Sequence, residues 1–244
     1  TEEMPANVVS RILRNTDSEK RRDINQILRY DPDTAGSIMT TEYVALRKNM
    51  TVSQAFELIR KVAIDKETIY TCYVTDQNRT LIGMLSLKDL LVADDDDIVE
   101  NIMETNVICV ETHTDQEEVA QSLSKYNFMA LPVVDKETRL VGIVTFDDAI
   151  DVIEEETTED IEMMAAITPT DKPYLKTSVF EIWKKRIPWL LLLMISATFT
   201  TLIISSFESA LAAHIILTSF IPMIMGTGGN SGSQSSVTII RGLS

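Results

Sequence analysis

The sequence is short of the residues that carry most catalytic chemistry. Its 244 residues include two histidines, two cysteines and two tryptophans, and aromatics make up only 6%. His113 and His214 stand isolated, one in a loop after a strand-like run and one beside an apolar stretch. No nucleophile–base pair and no metal-hydrolase spacing is present, so an enzyme is not expected. Cys72 and Cys109 lack metal-ligand spacing and sit in apolar, strand-like runs. They are expected as two buried, reduced thiols of an intracellular domain rather than as a disulfide. Positive charge is also scarce: 22 Lys and Arg against 37 Asp and Glu give a net charge of -15. A nucleic-acid partner would need a basic face, so none is expected. Nor is a signal peptide expected, because Thr1 to Asp31 is charged and helical in pattern. One further lack is local: Ile187 to Phe207 carries no charge at all.

What is present begins with helical spacing in Val8, Val9, Ile12 and Leu13, then Ile24, Ile27 and Leu28, broken at Tyr30-Asp31-Pro32-Asp33. Two copies of one unit follow. The first opens at Ile38-Met39, with a strand through Val44 and Leu46 and a helix over 51–63 capped by Thr51 or Ser53. Strands are expected over 69–75 and 81–86, hinged at Asp76-Gln77-Asn78, with a closing helix from Lys88-Asp89. The second copy opens at Ile102-Met103, with a strand over 107–110, a helix over 115–125, strands over 131–134 and 140–145, and a closing helix from Asp147. The copies agree at Asp76 and Asp135, Gly83 and Gly142, and Asp89 and Asp148. The acidic run Asp94–Asp97 between them is expected to cap a helix beginning near Ile98.

This β-α-β-β-α unit resembles a CBS domain, and two in tandem resemble the paired CBS module, an α/β fold. The end signature is Leu81-Ile82-Gly83 running to Ser86-x-x-Asp89, and Val141-Gly142 running to Thr145-x-x-Asp148. In such modules the Ser/Thr and Asp often bind the ribose of an adenine nucleotide, and a carboxylate accepts well from two hydroxyls. The competing reading is that Asp89 and Asp148 simply favour the first turn of their helices.

From Asp147 to Glu162 there are nine carboxylates and no basic residue. Ile150, Ile153, Ile161 and Met164 form an apolar seam, and acids recur on another face. Like charges at helical spacing destabilise, and no Lys or Arg stands four residues away to offset them. Two carboxylates about 5 Å apart repel by roughly 3 kcal/mol at an effective dielectric near 20. A hard divalent cation, magnesium or calcium, would relieve this. The bland alternative is a solvated acidic face.

The helix leads through Thr168-Pro169 and Lys172-Pro173 to the uncharged segment. About twenty apolar residues span a hydrocarbon core of about 30 Å. Pro188 is placed in the first turn of a helix beginning at Ile187, where proline is tolerated. Lys184-Lys185-Arg186 before it puts the N-terminal side in the cytoplasm, with Trp183 and Trp189 at the interface. A second span is expected over 211–241. Its Gly228, Gly232 and Ser236 suit close packing, while Thr227, Asn230 and Gln234 form a polar stripe. That stripe reads either as a pore wall or as polar glue between helices.

Taken together the chain resembles the MgtE family of magnesium channels. The matching stretches are Ala35-Gly36 with Ile38-Met39-Thr40, Thr68-Ile69-Tyr70, Asp115-Gln116-Glu117-Glu118, Leu131-Pro132-Val133-Val134, Thr158-Glu159-Asp160-Ile161, Phe207-Glu208-Ser209, and Gly226 to Gln234 running into Ile239-Ile240-Arg241. The resemblance implies the end of a helical N domain (1–34), CBS domains at 35–98 and 99–147, and an acidic plug helix at 148–168. A linker at 169–186 and membrane helices at 187–207 and 211–241 follow, with most of the N domain and three further membrane helices lying outside this stretch. It implies a homodimer in the cell membrane, multi-pass, with the CBS module cytoplasmic. Magnesium would be both transported and regulatory, held by Glu117, Asp148, Asp151, Glu156 and Asp160. Ser37 and Ser124 match positions that contribute backbone or water-mediated contacts. Asn127 stands where an aspartate is expected, so magnesium near it should bind more weakly. ATP in the CBS module is implied at Asp89, Lys88 and Phe128, although Thr71 replaces an aromatic residue expected beside it. The alternative function is a CBS module that senses adenine nucleotides to regulate another ion transporter.

Overall fold

The computed structural model describes residues 21, 24, 25, 27–165, 167–169 and 177–243. The expected helix through Val8, Val9, Ile12 and Leu13, and the Lys172-Pro173 segment, lie outside them. The chain divides into two compact units, 1–153 and 154–244.

In the first unit the repeat is explicit. The first copy runs α1 (Ala35–Ile38), β1 (Val44–Arg47), α2 (Val52–Val62), β2 (Thr71–Thr75), β3 (Leu81–Ser86) and α3 (Leu87–Val92). The second runs α4 (Val99–Ile102), β4 (Val110–Glu111), α5 (Gln116–Tyr126), β5 (Ala130–Val134), β6 (Leu140–Thr145) and α6 (Phe146–Met164). Each forms a three-stranded sheet in sequence order, the first pair parallel and the second antiparallel. The hairpin turns explain the paired aspartates. Asp76 Oδ1 accepts from the N–H groups of Asn78 and Thr80, both at 2.8 Å. Asp135 Oδ1 accepts from those of Glu137 (3.0 Å) and Arg139 (2.8 Å). These side chains close the turn on its own backbone.

The paired glycines have a different cause. The segment that opens each copy is exchanged onto the sheet of the other. Thr40 N–H donates to Ile143 O (2.8 Å) and Ile143 N–H returns the bond (2.9 Å); Met84 and Glu104 do the same at 2.9 and 2.8 Å. A Cβ on Gly142 would lie 2.6 Å from Met39 Sδ and 2.9 Å from Thr40 O. One on Gly83 would lie 2.7 Å from Met103 Sδ and 3.1 Å from Glu104 O. Neither glycine has a positive φ, so close approach rather than backbone freedom requires them. Between the sheets Tyr43, Tyr73, Ala130, Leu140 and Ile143 form a shared core, with the two tyrosine rings edge to face. The exchange makes the two copies one folding unit. It also seats the end of the N-terminal segment on the second copy: Ile27 and Tyr30 pack against the core that holds Val119, Ala120 and Leu123 of α5.

Three expectations are corrected here. Cys72 is buried, with its thiol pushed up to about 12 by desolvation, but Cys109 is exposed. Ile108 and Val110 face the core, so the period-two alternation turns Cys109 outward. The Asp94–Asp97 run does not cap α4, whose N-terminus has no side-chain cap. Asp97 Oδ2 instead accepts from Asp94 N–H, and the loop's carbonyls at Asp97 and Asp95 accept from Val52 and Ser53, capping α2. The strand expected over 107–110 pairs only at Val110–Glu111.

The second unit carries α7 (Val179–Ser206), α8 (Glu208–Ala213), α9 (Ile215–Thr218) and α10 (Phe220–Leu243). Helix α7 starts two turns earlier than expected, capped by Ser178, whose Oγ accepts from Glu181 N–H at 3.2 Å. Pro188 therefore lies inside the helix rather than in its first turn. It lacks the N–H that would bond the Lys184 carbonyl, so one rung of the helix ladder is missing there. The single span expected over 211–241 is divided at His214 and Ser219. Among the described residues, α7 is the helix long and apolar enough to cross a membrane. Helix α10 is of comparable length, but its Gly-, Ser-, Asn- and Gln-rich run dilutes its hydropathy.

Candidate functional site

The Ser/Thr-x-x-Asp signatures fold into the same local device. Ser86 caps α3: its Oγ accepts from Asp89 N–H (3.1 Å), while Asp89 Oδ2 accepts from Ser86 Oγ (2.6 Å) and Ser86 N–H (2.8 Å). This is a capping box with aspartate at its third position. Those bonds, the Ser86 hydroxyl first and its N–H second, hold the Asp89 carboxyl below its usual range. In the second copy Thr145 Oγ1 donates to Asp148 Oδ2 at 2.7 Å. The Thr145 hydroxyl and the N–H groups of Asp147 and Asp148 also hold the Asp147 carboxyl low. Both aspartates thus serve their helix starts. Lys88 is exposed beside Asp89, and Phe128 is half-buried, stacked on Tyr126 at 5.6 Å.

The expected metal ligands fall on three elements. Ser37, in α1, exchanges hydrogen bonds with the backbone of Thr34. Glu117 lies in the first turn of α5, where it accepts from Gln121 Nε2 at 3.1 Å; Ser124, in the last turn of α5, is exposed. Asn127 ends α5 in the left-handed region (φ 54°), with its N–H on Leu123 O. Asparagine is the side chain, after glycine, that best tolerates this conformation. The third element is α6: Asp148 and Asp151 stand near its start, Glu156 and Asp160 farther along. Its anchor is apolar, through Ala149 and Val152 buried in the second copy's core. Helix α6 has acids in its first turn, where they suit the dipole, but carries them on to Glu162, with no basic residue in its last turn. Among the described residues, no three His, Cys, Asp or Glu side chains are gathered closely enough to hold a metal ion. The donors are all hard oxygens, which suits magnesium or calcium over a softer metal, but they are spread rather than assembled.

In the second unit, the threonine hydroxyls of the long helices and two of the serines bond their own backbones. Thr198, Thr200, Thr201 and Ser206 in α7, and Thr227, Ser235 and Thr238 in α10, donate to carbonyls four residues back. The amides of Asn230 and Gln234 on α10 make no such bond among the described residues. The structure thus separates two kinds of polar residue that the sequence grouped in one stripe. Thr227 has placed its proton internally, whereas Asn230 and Gln234 present whole amides outward.

The CBS domain family matches residues 35–96 and 99–155. Its second match runs beyond the expected boundary at 147, into the core-anchored start of α6. Magnesium transporter MgtE of Thermus thermophilus is 46% identical over 227 residues, covering 93% of this chain and 50% of that protein. Magnesium transporter MgtE of Enterococcus faecalis is 41% identical over 226 residues, covering 93% and 49%. The chain spans about half the length of the curated relatives it matches. A crystal structure described as the cytosolic domain of the Mg2+ channel MgtE in complex with ATP is 48% identical, with a TM-score of 0.59 over 62% of this chain and 60% of that one. These relatives are transporters and not enzymes, in keeping with the missing catalytic groupings. With its tandem CBS fold and an identity that continues through α6 into the apolar helices, the chain belongs to the MgtE family.

Proposed function

We propose that this chain is the sensing portion and pore entrance of a magnesium channel that closes when cytosolic magnesium is high. The observation that carries the reading is α6: nine carboxylates between Asp147 and Glu162, no cation on the same helix, and an apolar anchor in the second CBS unit. Magnesium would be held by Asp148, Asp151, Glu156 and Asp160 on α6 and by Glu117 on α5, with Ser37, Ser124 and Asn127 at the margin. A spread ligand set is what a sensor needs, because the ion then draws the elements together instead of filling a finished cage. Turning a gate from mostly open to mostly closed requires about 5.5 kcal/mol of differential binding, which several weak sites acting together supply. Helix α7 crosses the cell membrane with Lys184, Lys185 and Arg186 on the cytoplasmic side, which places the CBS module in the cytoplasm. Helix α10 contributes Asn230 and Gln234, with Thr227, to the wall of the pore of a homodimer. The test is limited proteolysis across a magnesium series. Cleavage between Asp147 and Met164 should fall as magnesium rises from micromolar to tens of millimolar. Unchanged cleavage over that range sinks the sensor.

A nucleotide also fits the CBS module, supported by the relative described in complex with ATP. Asp89, Lys88 and Phe128 are its candidate contacts. Asp89 Oδ2 is engaged with Ser86, so Oδ1 is the atom open to a ribose hydroxyl. Calorimetric titration of ATP against the chain and against Asp89→Asn checks this, the variant binding more weakly.

A further inference from the structure

Helix α7 is 28 residues long. At 1.5 Å per residue it measures about 42 Å, while the hydrocarbon core alone is about 30 Å and the bilayer with its headgroups about 40–45 Å. The uncharged residues from Ile187 to Ser206 fill the core. The first two turns, Val179 to Arg186, are then left for the headgroup layer.

Those two turns have two distinct faces. At about 100° per residue, Arg186, Val179, Trp183, Phe180 and Lys184 follow one another around an arc of about 160°. All five are exposed, with Val179 at 85% and Phe180 at 70%. Phe180 and Trp183 stack at 5.6 Å in the centre of this arc, and a cation flanks them on each side. Glu181, Ile182 and Lys185 fall on the other face and are half-buried. There Lys185 Nζ donates to Pro169 O at 2.5 Å, and Thr168 Oγ1 donates to Lys185 O at 3.4 Å. The three consecutive basic residues therefore do two different jobs.

We infer that Lys184 and Arg186, with the Phe180–Trp183 stack between them, form a binding face for the phosphate of an anionic lipid in the cytoplasmic leaflet, while Lys185 ties the segment before α7 to the helix. The occupant is argued from charge and from continuity. The arc carries two cations and no acid, it is rich in the amphipathic aromatics that sit at headgroup depth, and it runs directly into the span. Each cation near an anionic surface contributes about fivefold to affinity, so the pair contributes about thirtyfold. The inference rests on α7 crossing the membrane.

The test uses the full chain in neutral detergent carrying Trp189→Phe, so that Trp183 is its single tryptophan. It is titrated with short-chain phosphatidylglycerol, with phosphatidylcholine and with inorganic phosphate. Phosphatidylglycerol should shift Trp183 fluorescence at a far lower concentration than the other two. The double variant Lys184→Gln/Arg186→Gln should raise that midpoint about thirtyfold, the swap Lys184→Arg/Arg186→Lys should keep it, and Lys185→Gln should leave it unchanged. Equal midpoints for the two lipids overturn the inference, as does phosphate binding as tightly as the lipid, or an equal loss in the Lys185 variant. Flotation with neutral vesicles separates this from the underlying reading. A chain that fails to float refutes the span, whereas one that floats but shows no preference for anionic lipid refutes only the lipid face.

Discussion

Gly142→Ala is the sharpest test of the exchanged architecture. In a strand without neighbours this change would stabilise by about 0.5–1 kcal/mol, because alanine loses less backbone entropy on folding. Here the new methyl would sit 2.6 Å from Met39 Sδ and 2.9 Å from both Met39 Cγ and Thr40 O. The sulfur is the mobile part of a flexible side chain and can retreat. The carbonyl cannot, because it accepts the Ile143 N–H at 2.9 Å in the bridge that joins the two copies. Overpacking of this kind costs about 1–3 kcal/mol, leaving a net loss of about 0.5–2 kcal/mol. Gly83→Ala should cost less, since only Met103 Sδ would come within 3.0 Å and Glu104 O would lie at 3.1 Å. With Trp183 and Trp189, both in α7, replaced by phenylalanine, the near-ultraviolet tyrosine dichroism, to which the packed rings of Tyr43 and Tyr73 contribute, follows the CBS pair in a urea titration. Adding Met39→Ala to Gly142→Ala should be less damaging than the sum of the two, by about 1 kcal/mol, because it removes the sulfur contact. A stabilised Gly142→Ala, or strict additivity with Met39→Ala, would refute the steric account.

Two further outcomes follow from the caps. Asn127→Gly should match or slightly exceed the parent in stability, while Asn127→Asp should lower the magnesium concentration that protects α6 from proteolysis; equal protection midpoints for both variants would remove any role for charge at this position. The Asp89 carboxyl is held below its ordinary 3.8, the Ser86 hydroxyl first among the causes. Its contribution to stability is therefore complete above that value and fades as pH falls through the lower folded-state value. The urea midpoints of the parent and Asp89→Asn should differ at neutral pH and converge in acid, and a gap that widens in acid would reverse the assignment.

The sequence revealed what is local and periodic. Thr51 caps α2, Asp76 and Asp135 close their turns, and each strand pair of the repeat lies close to where the apolar alternation puts it. Distant or competing contacts were illegible. The contact of Met39 with Gly142 joins residues a hundred positions apart, and the glycines were visible only as a coincidence between copies. Val107 to Val110 looked like a buried strand because apolar content hid the alternation that turns Cys109 outward. The Asp94–Asp97 run looked like a cap for the helix after it, whereas its carbonyls serve a helix earlier in the chain. Hydropathy located the uncharged part of α7 but not its start, because Val179 to Arg186 is helical without being uniformly apolar. The candidate ligands were legible as residue types and spacing. Their spread over α1, α5 and α6 was not, since spacing along a helix says nothing about which elements are brought together.

The two copies differ where the proposed sensor lies. Both closing helices begin with the same hydroxyl–aspartate pairing, at 2.6 Å in the first copy and 2.7 Å in the second. Helix α3 stops after six residues, at Ala93, where the chain turns into the loop that caps α2. Helix α6 starts from the same pairing and runs for nineteen. Its buried residues, Ala149 and Val152, lie in its first two turns and pack in the CBS core. Acid accumulates in that extension, where its cost in the absence of a cation falls on the helix rather than on the fold. Truncation of α6 after Ile153 should therefore leave the tyrosine signal of the CBS pair and its urea midpoint nearly unchanged while abolishing the magnesium-dependent stabilisation. A large loss of stability without magnesium would mean that the acidic extension holds the fold together, and the division between folded core and charged sensor would be wrong.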